Sequence, residues 1–235
     1  MLSSGFVNRV ETGTGWNVRE RLIAGIGLLL AFGFVLRKAI FPSTATNVEE
    51  EFLQTIGVQW LIFGIIAFIA FRGLRLRFTD LGMRVPRPLD WPIALATLII
   101  AMIVAGIVSR VFPAPETAKA AGARILSLPM PTRVLLAITA GICEEFLFRG
   151  FGIAVLIRFT RNRWLAGLLS LAAFTIAHAG LFGWTSALVI PFVLGLILTL
   201  LFLLRGNLFS AMIVHMLIDA IGLILVPMLA AKSPS

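Results

Sequence analysis

The stretch from Val134 to Ile157 reads VLLAITAGICEEFLFRGFGIAVLI, an apolar run broken by charge at Glu144, Glu145 and Arg149. It is long enough to cross a hydrocarbon core of about 30 Å as one helix. A charged side chain at that depth costs roughly 2.5 to 3.5 kcal/mol on insertion scales, so a chain seldom keeps several unless they do chemistry or line a polar path. The pattern recurs downstream, where both histidines of the chain, His178 and His215, and Asp219 lie inside further apolar runs.

Working outward from this stretch, the composition agrees. Of the 235 residues, 59% are hydrophobic and 13% charged, far from the roughly 45–50% and 25% of soluble domains. The chain reads as an all-α, polytopic membrane helix bundle. Seven apolar runs reach spanning length, at residues 21–40, 52–71, 92–112, 134–157, 164–180, 184–204 and 208–229. The first is read as a retained helix rather than a removed signal peptide, since no small-residue cleavage site follows it. Trp91, Trp164 and Trp184 open spans, where an indole settles at headgroup level; Trp60 falls mid-span and is expected to pack. The lone Cys143 has no internal disulfide partner and reads as a small packing residue.

The net charge of +9 does not point to nucleic acid, because its distribution follows membrane topology. Arg9, Arg19, Arg21, Arg72, Arg75, Arg77, Arg84, Arg87, Arg158, Arg161, Arg163 and Arg205 fall on one side of the seven-span arrangement. Only Arg37, Lys38, Arg110, Lys119, Arg124, Arg133 and Lys232 fall on the other. The positive-inside bias then places the N-terminus in the cytoplasm and the C-terminus outside. Five segments are expected: a cytoplasmic N-terminal segment at 1–20, three accessory helices over 21–112, an amphipathic connector at 113–133, a four-helix catalytic core over 134–230, and a tail at 231–235. The connector suits a short interfacial or re-entrant helix, either a gate near the site or an inert link.

Three short patterns carry the chemistry. On a helix, Glu145 and Arg149 are four residues apart and share a face, so they can pair, while Glu144 points about 100° away and is left to act. Phe174 lies one turn before His178 on the same face, and His215 stands in the same relation to Asp219. A lone buried histidine is more often a satisfied core residue than a base or ligand. Here both histidines of the chain fall on helices other than that of the glutamates. Helix rise puts Glu144 and His178 both roughly 20 Å from the cytoplasmic ends of their spans, and His215 and Asp219 at roughly 10 and 16 Å, so one layer can hold all four. Such a set suits water activation: Glu144 as general base, His178 orienting or sharing the proton, His215 and Asp219 binding the developing oxyanion. The outcome is hydrolysis of an amide or ester bond within the membrane.

Glu-Glu-x-x-x-Arg at Glu144 to Arg149, Phe-x-x-x-His at Phe174 to His178, and His-x-x-x-Asp at His215 to Asp219 together resemble the CAAX-processing and Abi (CPBP) family of intramembrane proteases. The resemblance covers residues 134–229. It implies a helical membrane endopeptidase acting on a membrane-embedded or lipidated protein or peptide. Eukaryotic members remove the last three residues from prenylated CAAX ends, and bacterial ones are associated with bacteriocin maturation and self-immunity. By position, it implies Glu144 as the catalytic glutamate, His178 its partner, Glu145 and Arg149 as support, and His215 with the residue four later as oxyanion stabilisers. That last position is often asparagine in the family; Asp219, if ionised, would repel an oxyanion. A bacterial plasma membrane is the expected location.

Two histidines and one or two carboxylates also make a Zn²⁺ set with an open water position, with Glu144, His178, His215 and Asp219 as ligands. Members of the family have been described both as metalloproteases and as glutamate-dependent enzymes. Other intramembrane chemistries find less support, since the chain has no His-Glu-x-x-His and no Gly-x-Ser-x-Gly, and Asp219 alone cannot form an aspartyl dyad. A proton-coupled transporter would also place Glu, His and Asp at the midplane, though without the paired broken helices or inverted halves transporters show. An inactive scaffold would lack a core residue, and none is missing.

Overall fold

The computed structural model describes residues 16–33 and 43–230, and every regular element among them is helical. The main helices are α1 Val18–Phe32, α2 Val48–Gly73, α3 Asp90–Val111, α4 Glu116–Leu126, α5 Met130–Thr160, α6 Arg163–Phe182, α7 Ser186–Arg205 and α8 Leu208–Leu229. Asparagines start four of them. The side chains of Asn17, Asn47, Asn162 and Asn207 accept from backbone N–H groups of the first turns of α1, α2, α6 and α8, satisfying donors a helix leaves orphaned. Gly206, at φ +59°, ends α7 and turns the chain into α8.

Helix α5 is the axis of the bundle. The helices α1, α2, α6 and α8 all pack on it, and every residue from Glu145 to Ile157 is buried. Over Ala140–Ile153 it widens to i→i+5 hydrogen bonding, an uncommon geometry that recurs at functional sites. Gly141 lets α8 approach closely: a Cβ there would stand 3.0 Å from the backbone nitrogen of Met216 and 3.1 Å from the carbonyl oxygen of Met212.

Helix α2 runs parallel to α5 and is tied to it at three levels. Thr132 donates to Glu49 (2.6 Å), the Trp60 indole donates to Thr139 (3.0 Å), and the Gln59 amide donates to Glu144 (3.1 Å). Trp60, expected only to pack, therefore also makes a helix-to-helix hydrogen bond. Helix α3 lies outermost, packed on α7 and α8, and exposes Leu95, Ile99, Ile103 and Ile107. So broad an apolar face is normal where lipid, not water, is the solvent.

The arginine-rich connections gather at one end. Asp90, buried at the start of α3, pairs with Arg84 (2.9 Å) and Arg205 (2.7 Å). Arg158 lies over the Trp16 ring (4.8 Å), and Arg19, Arg72 and Arg75 border one small cavity.

The count of seven spans is not reached among the described residues. Five helices, α2, α3, α6, α7 and α8, are long and apolar enough to cross a membrane, and α4 with α5 forms a sixth candidate bent by 116°. Two reasons account for the difference. The expected span at 21–40 runs past the described residues, which hold the shorter α1. The expected span at 134–157 sits inside α5, where Glu144, Glu145 and Arg149 dilute the apolar signal. The bend falls within the stretch 113–133, where α4 leaves the axis of α5 at 116°. Residues 231–235 lie outside the described residues.

Candidate active site

Glu144 and Glu145 are adjacent on α5 and meet different surroundings. Glu145 is fully buried, and its Oε1 accepts from Arg149 Nη1 (2.8 Å) and from His215 Nδ1 (2.8 Å). Arg149, also fully buried, donates to the carbonyl of Gly195 on α7 (3.1 Å) and lies over the Phe174 ring (4.2 Å from its centroid). Burying charges is costly unless they are paired and hydrogen-bonded; α5, α7 and α8 supply those partners at Glu145 Oε1 and Arg149, while Glu145 Oε2 is buried without one among the described residues. Gly195 brings α7 in, because a Cβ there would meet Phe174 at 2.8 Å.

Glu144 instead faces a cavity of about 270 Å³, which it lines with Gln59, Phe174, His178, His215 and Asp219. The walls are largely apolar, including Phe52, Leu181 and Leu194. Helix α4 contributes Arg124 and Ile125 to the lining and bridges α2 and α6, with Arg124 paired to Glu51 (2.7 Å) and Thr117 donating to the carbonyl of Phe182 (3.4 Å). The connector thus borders the cavity rather than standing apart from it.

The histidines are held through defined ring atoms. A carbonyl can only accept, so the 2.9 Å contact of His178 Nδ1 with the Phe174 oxygen puts a proton on Nδ1 and leaves Nε2 as the acceptor of the neutral ring. The ring packs between Phe174 and Phe182, at 4.5 and 6.3 Å between centroids. His215 donates through Nδ1 to Glu145, and its Nε2 stands 3.6 Å from Asp219 Oδ2.

The residues singled out in the sequence therefore fall into two layers. Glu144, His178, His215 and Asp219 share the cavity lining with Phe174; Glu145 and Arg149 lie behind them, as the i, i+4 spacing foretold. The link from Glu145 to His215 was not foreseen, since sequence spacing says nothing of contacts between α5 and α8. Gln59 was also missed, although an amide within an otherwise apolar span was the available signal. Among the described residues no group of three or more His, Cys, Asp or Glu side chains could hold a metal ion. The chemistry below is built from side chains alone.

Apolar helices around a cluster of ionisable residues define a multi-pass integral membrane protein with a polar site between its helices. Residues 126–221 match the family described as Rce1-like, Type II CAAX prenyl endopeptidase. That segment, running from the end of α4 into α8 and carrying all three motifs, is thus similar to that family, in line with the resemblance of the sequence. The comparisons with curated proteins and with solved structures found no match.

Proposed function

We propose that this chain is an intramembrane endopeptidase that hydrolyses a peptide bond of a membrane-associated or lipidated protein or peptide. The observation that carries the reading is that Glu144, His178, His215 and Asp219, drawn from three helices of the Rce1-like segment, line one cavity.

In the proposed reaction a water in the cavity gives a proton to the Glu144 carboxylate as its oxygen attacks the scissile carbonyl carbon. His178, with Nδ1–H fixed on the Phe174 carbonyl, offers Nε2 to orient that water. The tetrahedral oxyanion is met from the α8 side. A proton on His215 Nε2 serves it, with Asp219 standing 3.6 Å from that nitrogen on the lining of the same cavity. Protonated Glu144 then passes its proton to the amide nitrogen, the C–N bond breaks, and a carboxylic acid and an amine leave, with Glu144 restored as the carboxylate. Glu145 and Arg149 keep His215 in position from behind. The arginine-rich end is assigned to the cytoplasm of a bacterial plasma membrane, with the N-terminus inside, by the positive-inside bias.

The test compares new peptide termini in membranes from cells carrying the wild-type chain or Glu144→Gln at matched expression. Termini present only with the wild type are expected and would show the cleaved sequence. No difference between two correctly inserted proteins would overturn the reading in favour of transport or a scaffold.

A further inference from the structure

Residues 126–221 hold every side chain that the proposed chemistry uses, yet the carboxylate at its centre takes a hydrogen bond from outside that segment. Gln59 Nε2 of α2 donates to Glu144 Oε1 at 3.1 Å. Gln59 is 4% exposed and borders the same cavity as Glu144, His178 and His215. Burying an amide is costly unless it is hydrogen-bonded, so an amide within an apolar span calls for a partner, and here the partner is the reacting carboxylate.

The flanking contacts fix this arrangement. The Trp60 indole, next along α2, donates to Thr139 of α5 (3.0 Å), five residues before Glu144, and nearer the start of the two helices Glu49 accepts from Thr132 (2.6 Å). The Trp60 ring packs edge-on against Phe63, and Phe63 against Phe146 of α5, at 5.3 and 4.6 Å between centroids. Two parallel helices joined at these levels have little freedom to slide, so the Gln59 amide is presented to Glu144 from a fixed position.

From this geometry we infer that Gln59 is a positioning residue of the active site: its N–H holds one oxygen of Glu144 and directs the other toward the water and the scissile carbonyl. The inference rests on the endopeptidase reading above. It makes α2 part of the catalytic unit, where the sequence counted it among the accessory helices. A base must sit within hydrogen-bond reach of the proton it takes, and a displacement of about 1 Å can cost about 100-fold in rate. An amide that fixes one carboxylate oxygen acts on turnover rather than on substrate binding.

The experiment uses the full-length chain reconstituted in lipid vesicles and an internally quenched peptide spanning the junction that wild-type membranes yield. Gln59→Leu and Gln59→Met both keep apolar packing without any donor. Each should lower kcat by about 10- to 100-fold while KM stays within about twofold, with Glu144→Gln inactive as the reference. Thermal unfolding of each variant is measured alongside, and if Gln59→Met fails to fold, Gln59→Leu decides. Wild-type kcat in both variants would overturn the positioning role while leaving the endopeptidase reading intact. A raised KM at unchanged kcat would overturn it too, making Gln59 a substrate contact. Absence of any cleavage by the wild type would instead bring down the endopeptidase reading, and this inference with it.

Discussion

Replacing Arg149 by methionine should destabilise the protein more than any exposed substitution can. The side chain is fully buried, pairs with Glu145 at 2.8 Å, donates to the Gly195 carbonyl at 3.1 Å and stacks on Phe174 at 4.2 Å. Methionine fills most of the space and packs adaptably, so lost volume is the minor effect. The dominant one is Glu145, left buried with His215 as its remaining partner. Removing one member of a buried ion pair costs about 3–5 kcal/mol. In a chain of this size each kcal/mol lowers the thermal midpoint by about 2–4 °C, so the fall should be about 6–20 °C. The assay is thermal unfolding of the purified protein in one detergent, with Arg77→Met as the control. Arg77 also pairs with an aspartate, Asp80 at 3.4 Å, but its side chain is 73% exposed, and such pairs are worth about 1 kcal/mol or less. Glu145→Gln combined with Arg149→Met removes the stranded charge and should recover at least half of the loss. A midpoint for Arg149→Met equal to that of the control would refute the role given to the buried pair.

Three further outcomes follow from the geometry. Gly141→Ala should lower stability by about 1–3 kcal/mol and slow cleavage, because the new Cβ presses on the Met216 and Met212 backbone and forces α8 with His215 away from α5; an unchanged melting curve and rate would show that the helices part without cost. Asp219→Asn should keep or raise cleavage, since an amide at that position offers an oxyanion a donor in place of a negative charge, whereas Asp219→Ala should lower kcat; an inactive Asp219→Asn would show that the carboxylate itself is required. Asp90→Ala should destabilise the protein by about 3–5 kcal/mol, as it strands Arg84 and Arg205 at the buried start of α3; thermal unfolding measures it, and a wild-type midpoint would contradict the pairing.

Much of this architecture was legible in the chain because one physical rule governs it. Lipid demands long apolar helices, and each ionisable residue inside one stands out against that background. The Glu145–Arg149 pair followed from helical spacing alone, and the convergence of Glu144, His178 and His215 from depth along their helices. What could not be read was lateral packing. Spacing along a helix does not say which neighbour it faces, so the contacts of Glu145 with His215, of Arg149 with Gly195 and of Gln59 with Glu144 stayed hidden. The span count faltered for a related reason: the charges that mark α5 as the site also weaken its signal as a membrane helix.

Purified Glu144→Gln, folded and reconstituted beside the wild type, tests the role of Glu144 most directly through its rate of hydrolysis of the junction peptide. The change is nearly isosteric, so the lipid-embedded fold should survive, with thermal unfolding close to wild type and cleavage lost. Turnover at the wild-type rate by the folded variant would contradict Glu144 as the base that activates water.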